Sequence, residues 1–233
     1  MDLYRKTAII VGVLFIIATV APILSGVFLG SITDVVGGIS DRDYLVKAST
    51  NESQMIIGLL FYVIMAVAVA GIAIAIYPFF KKHNEALALG YVGARIGESV
   101  LFSVNVIATL TLLTLSQEVV KAGSPDASYY QTLGTVLLAA GNWAYLLGLG
   151  LAFALSALIL NFVLYQSKLV PRWLSGWGFI GAALVFANFL VESFGMKPVE
   201  ILFIPIAVQE MVFAVWLIIK GFNSSAIVSE TAK

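Results

Sequence analysis

Met55 to Tyr77 reads MIIGLLFYVIMAVAVAGIAIAIY, a run with no charged residue and no proline. At about 1.5 Å per residue, a helix over this run covers the roughly 30 Å hydrocarbon core of a bilayer. A water-soluble fold would have to cover such a helix with polar surface. The chain has little: of 233 residues, 61% are apolar and 11% charged, where soluble domains run near half apolar and about a quarter charged. The composition therefore describes an integral membrane protein.

Working outward from that run, the same test finds spans at about 7 to 30, 54 to 77, 87 to 115, 132 to 164, 175 to 194 and 200 to 220. All six are read as helices, because a lipid-exposed open strand leaves its backbone polar groups unpaired. The expected fold is all-α, a polytopic bundle of about six helices formed as one unit by residues 1–222, with 223–233 a polar, mobile tail. The third and fourth stretches are longer than a crossing needs, so they tilt or protrude. Met1 to Lys6 leads into a first stretch too long for a signal-peptide core, which reads as a retained span.

Basic residues orient the bundle, because cytoplasmic loops carry their excess. With the N-terminus inside, Arg5, Lys6, Lys81, Lys82, Lys168, Arg172, Lys220 and Lys233 lie on the inner face, against Arg42, Lys47, Lys121 and Lys197 outside. Both termini are then cytoplasmic. Trp173, Trp177, Tyr77 and Tyr165 fall where interfacial anchors belong.

Thirteen basic and thirteen acidic residues cancel, and no basic cluster exceeds Lys81 with Lys82, so nothing marks a nucleic-acid partner. Cysteine is absent and histidine occurs once, which leaves no thiolate or imidazole set for a metal or a haem. No cofactor and no metal ligand is assigned. Nor does the chain contain a GxSxG elbow, an HExxH pair or a Walker loop, so no residue is designated catalytic.

Small residues pattern two of the spans. Ala140, Ala144, Gly148, Ala152 and Ser156 recur every fourth position, and Gly93 and Gly97 repeat the spacing. Such faces let helices approach closely within a bundle, or between copies in a homo-oligomer. Pro22 and Pro205 each predict a kink, in the first and last spans.

The decisive polar residues are those inside hydrocarbon. Arg95 and Glu98 stand three apart in the third span, where an unpaired charge costs on the order of 3 kcal/mol or more. Tyr91, Arg95, Glu98, Phe102, Asn105 and Thr109 share one face, so that face should look into the bundle. Glu210 lies ten residues before Lys220, and Arg95 ten residues after Glu85 on an antiparallel span, so both sit about 15 Å from the inner boundary. One guanidinium with two carboxylates leaves a formal charge of minus one, which a shared proton or a bound cation would balance. In the fourth span Asn142 and Tyr145 align with Ser156, and Asn142 is expected to hydrogen-bond across helices.

Leu169 to Gly178 reads LVPRWLSGWG, preceded by Asn161 and Tyr165. This stretch resembles the signature of the prokaryotic membrane proteins grouped as domain of unknown function 4386. Arg95 with Glu98, and Glu210, Met211, Trp216, Lys220, Gly221, Phe222 and Asn223, are similar to the corresponding parts of that family. The resemblance implies a multi-pass protein of bacterial or archaeal plasma membranes, surrounded by lipid, with no assigned activity, substrate or cofactor.

The residues themselves support a non-enzymatic reading. Arg95, Glu98, Glu210, Asn105, Asn142, Tyr91 and Tyr145 form a candidate site for a small polar or amphipathic ligand, bound or transported. The alternatives are a structural or regulatory subunit in which the charges staple helices, and a lipid-modifying enzyme using a glutamate as acid or base.

Overall fold

The computed structural model describes residues 3–36, 44–123 and 128–223. The described residues form helices α1 (Leu3–Val36), α2 (Tyr44–Thr50), α3 (Glu52–His83), α4 (Glu85–Ala122), α5 (Ser128–Leu146), α6 (Ala154–Ser167), α7 (Arg172–Ser193) and α8 (Ile204–Ile219). A π-helical segment, Leu147–Phe153, joins α5 to α6, and a 3-10 turn, Glu200–Phe203, leads into α8. Six of the resulting helical stretches are long and apolar enough to cross a membrane. Of the tail expected at 223–233, all but Asn223 lies outside the described residues.

The six spans pack as a ring. α1 lies on α3, α3 on α4, α4 on α5 and the π segment, α6 on α7, α7 on α8, and α8 closes back on α1. Short links make neighbours antiparallel. Asn84 separates α3 from α4, and its side chain accepts from the Leu87 amide at 3.0 Å, supplying the cap the new helix needs. α4 stops at Gly123, whose φ of 62° is left-handed. α6 stops at Lys168, also left-handed at φ 56°.

One end of the ring is sealed by side chains. Ala8, Val11, Ile76, Phe80, Leu164, Leu169, Leu174 and Leu217 form one buried cluster, each at most 2% exposed. The sealed end is the one bearing Arg5, Lys81, Lys168 and Lys220. Toward the opposite end α2, absent from the sequence-based reading, buries Tyr44, Leu45 and Ala48 and packs against α4.

Two local expectations need correction. Pro205 does not kink α8, because the helix begins at Ile204 and the proline sits in its first turn, where no intrahelical donor is required. Pro22 does fall inside α1, and so does Pro78 inside α3. Gly93 and Gly97 mark no close approach, since a Cβ at either would meet nothing within 4 Å. Helices instead come together at Gly12, Gly150 and Gly181, where a Cβ would strike Ala214, Phe189 and Ile206 respectively.

The π segment explains a further departure. Residues spaced by four drift about 40° per step around a 3.6-residue helix. The wider turn of Leu147–Phe153 offsets that drift, so Ala144, Gly148, Ala152 and Ser156 are all buried while Ala140 is exposed. Ser156 is thereby rotated away from Asn142 and Tyr145, both of which are exposed.

Candidate functional site

Arg95 is the largest fully buried side chain of the protein's described part, 2% exposed. α4 places it ten residues after Glu85, the first residue of the helix, among groups that compensate its charge or pack on its apolar stem. Its Nε donates to the Tyr91 hydroxyl at 3.2 Å. Nη1 donates to Glu98 Oε2 at 3.1 Å and Oε1 at 3.4 Å, one turn along the same helix. The guanidinium also lies 5.6 Å from the Phe15 ring centre, 5.6 Å from that of Tyr91 and 5.4 Å from that of Phe153, a distance at which a cation is attracted to an aromatic face.

Nη2 is different. It stands 3.6 Å from Glu210 Oε1, within ion-pair range but too long for a hydrogen bond, and it makes no hydrogen bond. Nη2 is thus a buried guanidinium donor without a hydrogen-bond partner among the described residues.

That donor faces a cavity of about 520 Å³. α1 contributes Phe15 and Thr19, α3 contributes Tyr62, α4 contributes Arg95, Glu98 and Phe102, and α5 contributes Tyr145. Glu200 and Glu210 line it from the last segment of the chain. Because these two glutamates are ten residues apart, the cavity reaches from mid-span to the Glu200 end, about 15 Å along the helix axis. It stops at the Phe15, Phe153 and Arg95 layer, below which lies the sealed cluster. Its walls are apolar and aromatic, with Tyr62, Phe102 and Tyr145 in mutual ring contact at 5.9 to 6.5 Å. Thr19 Oγ1 is buried in the wall without a hydrogen-bond partner among the described residues.

Of the residues singled out in the sequence, Arg95, Glu98, Glu210 and Tyr145 line this cavity. Tyr91, 0% exposed, stands behind the arginine and orients it. Asn105 serves packing: its Nδ2 donates to the Gly141 carbonyl at 2.9 Å, tying α4 to α5. Asn142 is exposed and lines no part of the cavity. The cross-helix hydrogen bond expected of it belongs to Asn105, which reaches the backbone one residue earlier.

Phe15, Thr19, Tyr62 and Phe153 escaped sequence reasoning. Each is ordinary in a membrane helix, and only the ring brings them to one space. A second buried polar contact also went unseen: Gln209 Nε2 donates to the Leu174 carbonyl at 3.2 Å and to Asn161 Oδ1 at 3.4 Å, joining α6, α7 and α8. Its signal was present, since Gln209 precedes Glu210 within an otherwise apolar span. No group of histidine, cysteine and carboxylate side chains suited to a metal occurs among the described residues.

The sequence profile of a domain of unknown function, DUF4386, matches residues 10–221. The chain belongs to this family. In this DUF4386 protein the match takes in all six membrane-compatible helices almost entirely, together with the Arg95, Glu98 and Glu210 cluster and the cavity above it. No curated protein and no solved structure matches the DUF4386 chain.

Proposed function

We propose that this DUF4386 protein binds a small amphipathic ligand in the cavity above Arg95, for transport or for sensing. The supporting observation is the buried Arg95 Nη2 donor, without a hydrogen-bond partner among the described residues, at the floor of an aromatic-walled cavity. A volume of about 520 Å³ lies in the usual range for small-molecule sites, which are mostly apolar with a few convergent polar groups. The ligand's apolar body would occupy the Tyr62, Phe102 and Tyr145 walls. Its polar end must accept from Arg95 while donating to Glu210, a pairing suited to hydroxyl, amide or zwitterionic groups.

The orientation belongs to the same proposal: both termini face the cytoplasm of a bacterial or archaeal cell, with eight basic residues inside against four outside. The cavity then extends on its Glu200 side toward the exterior, and the sealed cluster closes its cytoplasmic half. Transport would require that seal to open.

The test is thermal stability of purified protein across amphipathic probes of neutral, zwitterionic, cationic and anionic headgroup. Wild type should be stabilised by the neutral or zwitterionic probes, and a variant combining Arg95→Met, Glu98→Gln and Glu210→Gln should not. Equal profiles, with full activity of that variant in cells, would mean that the three charges only join helices. A lipid product formed by the purified protein and lost with either glutamate would instead establish an enzyme.

A further inference from the structure

Lys168, Arg172 and Lys220 are remote from the central cavity and carry no role in the reading above. They come from the end of α6, the first residue of α7 and the residue after α8, and the fold brings them to one pocket of about 450 Å³. The chain is tied there by its own backbone: the Asn223 amide donates to the Leu169 carbonyl at 2.8 Å, and Asn223 Nδ2 to the Lys168 carbonyl at 3.4 Å. All three cations are exposed. Among the described residues none of them is paired with a carboxylate.

Two features remove negative potential from this pocket. The carbonyls at the end of α8 would repel an anion, but the Arg5 guanidinium takes those of Leu217 at 3.0 Å and Ile219 at 3.1 Å. α7 begins at the pocket without a side-chain cap on Pro171, so the positive end of its dipole adds to the three charges. Arg172 is held over the Tyr165 ring at 5.1 Å, which limits where its charge can go.

The pocket continues into the membrane-facing surface. Trp216 and Lys220 line both it and an apolar groove of about 370 Å³ that runs along α8 past Met211, Val215 and Ile219. A cationic pocket opening onto an apolar groove matches a phosphate headgroup with an acyl chain attached. We propose that this is a binding site for an anionic phospholipid, its headgroup phosphate among Lys168, Arg172 and Lys220 and one chain along α8. In the proposed orientation it draws from the cytoplasmic leaflet, where basic pockets between membrane helices take acidic headgroups.

Lys168 offers a test that separates binding from folding. It occupies the left-handed position closing α6, where glycine is the unstrained residue. Lys168→Gly therefore removes one charge while relaxing the backbone. The protein would be placed in nanodiscs of phosphatidylcholine with a minor fraction of phosphatidylglycerol, and the lipid retained after detergent extraction read by native mass spectrometry.

Wild type should retain phosphatidylglycerol in preference to phosphatidylcholine. Each of Lys168→Gly, Arg172→Ala and Lys220→Ala should weaken that preference about fivefold, with Lys168→Gly melting no lower than wild type. Inorganic phosphate at millimolar concentration should not displace the lipid. Unchanged preference in all three variants would overturn the proposal. Displacement by phosphate, with phosphate bound equally well without lipid, would overturn it in favour of a soluble anion. Where Arg172→Ala or Lys220→Ala fails to fold, unchanged preference in the variants that do fold, Lys168→Gly among them, overturns the proposal equally.

Discussion

Arg95 Nη2 and Glu210 Oε1 face each other at 3.6 Å across the interior of the bundle, from α4 and α8, helices on opposite sides of the ring. The contact is therefore not one between packed neighbours. It spans the floor of the cavity, whereas the shorter contact to Glu98 stays within α4 at 3.1 Å. Glu98 is 4% exposed in its side chain and Glu210 13%, so the second carboxylate has room to change partner when a ligand arrives.

Replacing the arginine alone would leave two carboxylates in the bundle without a counter-charge. Arg95→Met should lower stability by about 3 kcal/mol or more, read as a fall in melting temperature of purified protein. Adding Glu98→Gln and Glu210→Gln to that variant should recover most of the loss. A single variant as stable as wild type would show the charges to be solvated in place.

The two glutamates should not behave alike. Glu98 accepts two contacts from Nη1, so Glu98→Gln removes charge-assisted hydrogen bonds and should cost about 2 kcal/mol. Glu210 accepts no hydrogen bond from Arg95, and Glu210→Gln should cost less than about 1 kcal/mol. Denaturation of the two variants under one set of conditions ranks them, and the reverse order would contradict the geometry.

Asn105 and Asn142 make a second contrast. Asn105→Leu breaks the link to the Gly141 carbonyl and should destabilise by about 1 kcal/mol. Asn142→Leu changes an exposed position and should leave stability within about 0.5 kcal/mol of wild type.

Glycine substitutions test the packing of the ring. At Gly181 a Cβ would lie 3.0 Å from the Ile206 backbone nitrogen, and backbone yields less readily than a side chain. Gly181→Ala should therefore cost about 1 to 3 kcal/mol. Gly93→Ala, with open space around it, should be neutral or stabilise by up to about 1 kcal/mol through helix propensity.

Orientation can be read directly, because the chain contains no cysteine. Ala86→Cys beside the α3 to α4 turn and Lys197→Cys between α7 and α8 are both at exposed positions. In intact cells a membrane-impermeant maleimide should label Lys197→Cys and spare Ala86→Cys. The opposite pattern would invert the proposed topology.

The spans, the all-helical class and the inward polar face of α4 were legible from residue order alone. Each depends on local quantities: the length of an apolar run, and the angle between residues on an unbroken helix. The pairing of Arg95 with Glu210 was anticipated from equal depth, since rise per residue needs no knowledge of neighbours. Azimuth was another matter. Asn142 was assigned to the interior as a polar residue deep within a span, whereas the buried face of α5 runs through Gly134, Leu138, Gly141 and Ala144 and leaves Asn142 exposed.

What only the tertiary structure decided is the order of helices around the ring, and with it the cavity. Phe15, Thr19, Tyr62 and Phe153 acquire a role because α1, α3 and the π segment meet around Arg95, and α8 closes the circle against α1. The basic pocket arises in the same way, from the turn between α6 and α7 and the end of α8, which are widely separated in the chain. Hydrocarbon dictates that each span be apolar and that buried charge be paired, so these appear in the sequence. It does not dictate which span stands beside which, because lipid and neighbouring helices are alike apolar. Close packing favours particular neighbours, as at Gly12 between α1 and α8, Gly150 between the π segment and α7, and Gly181 between α7 and α8.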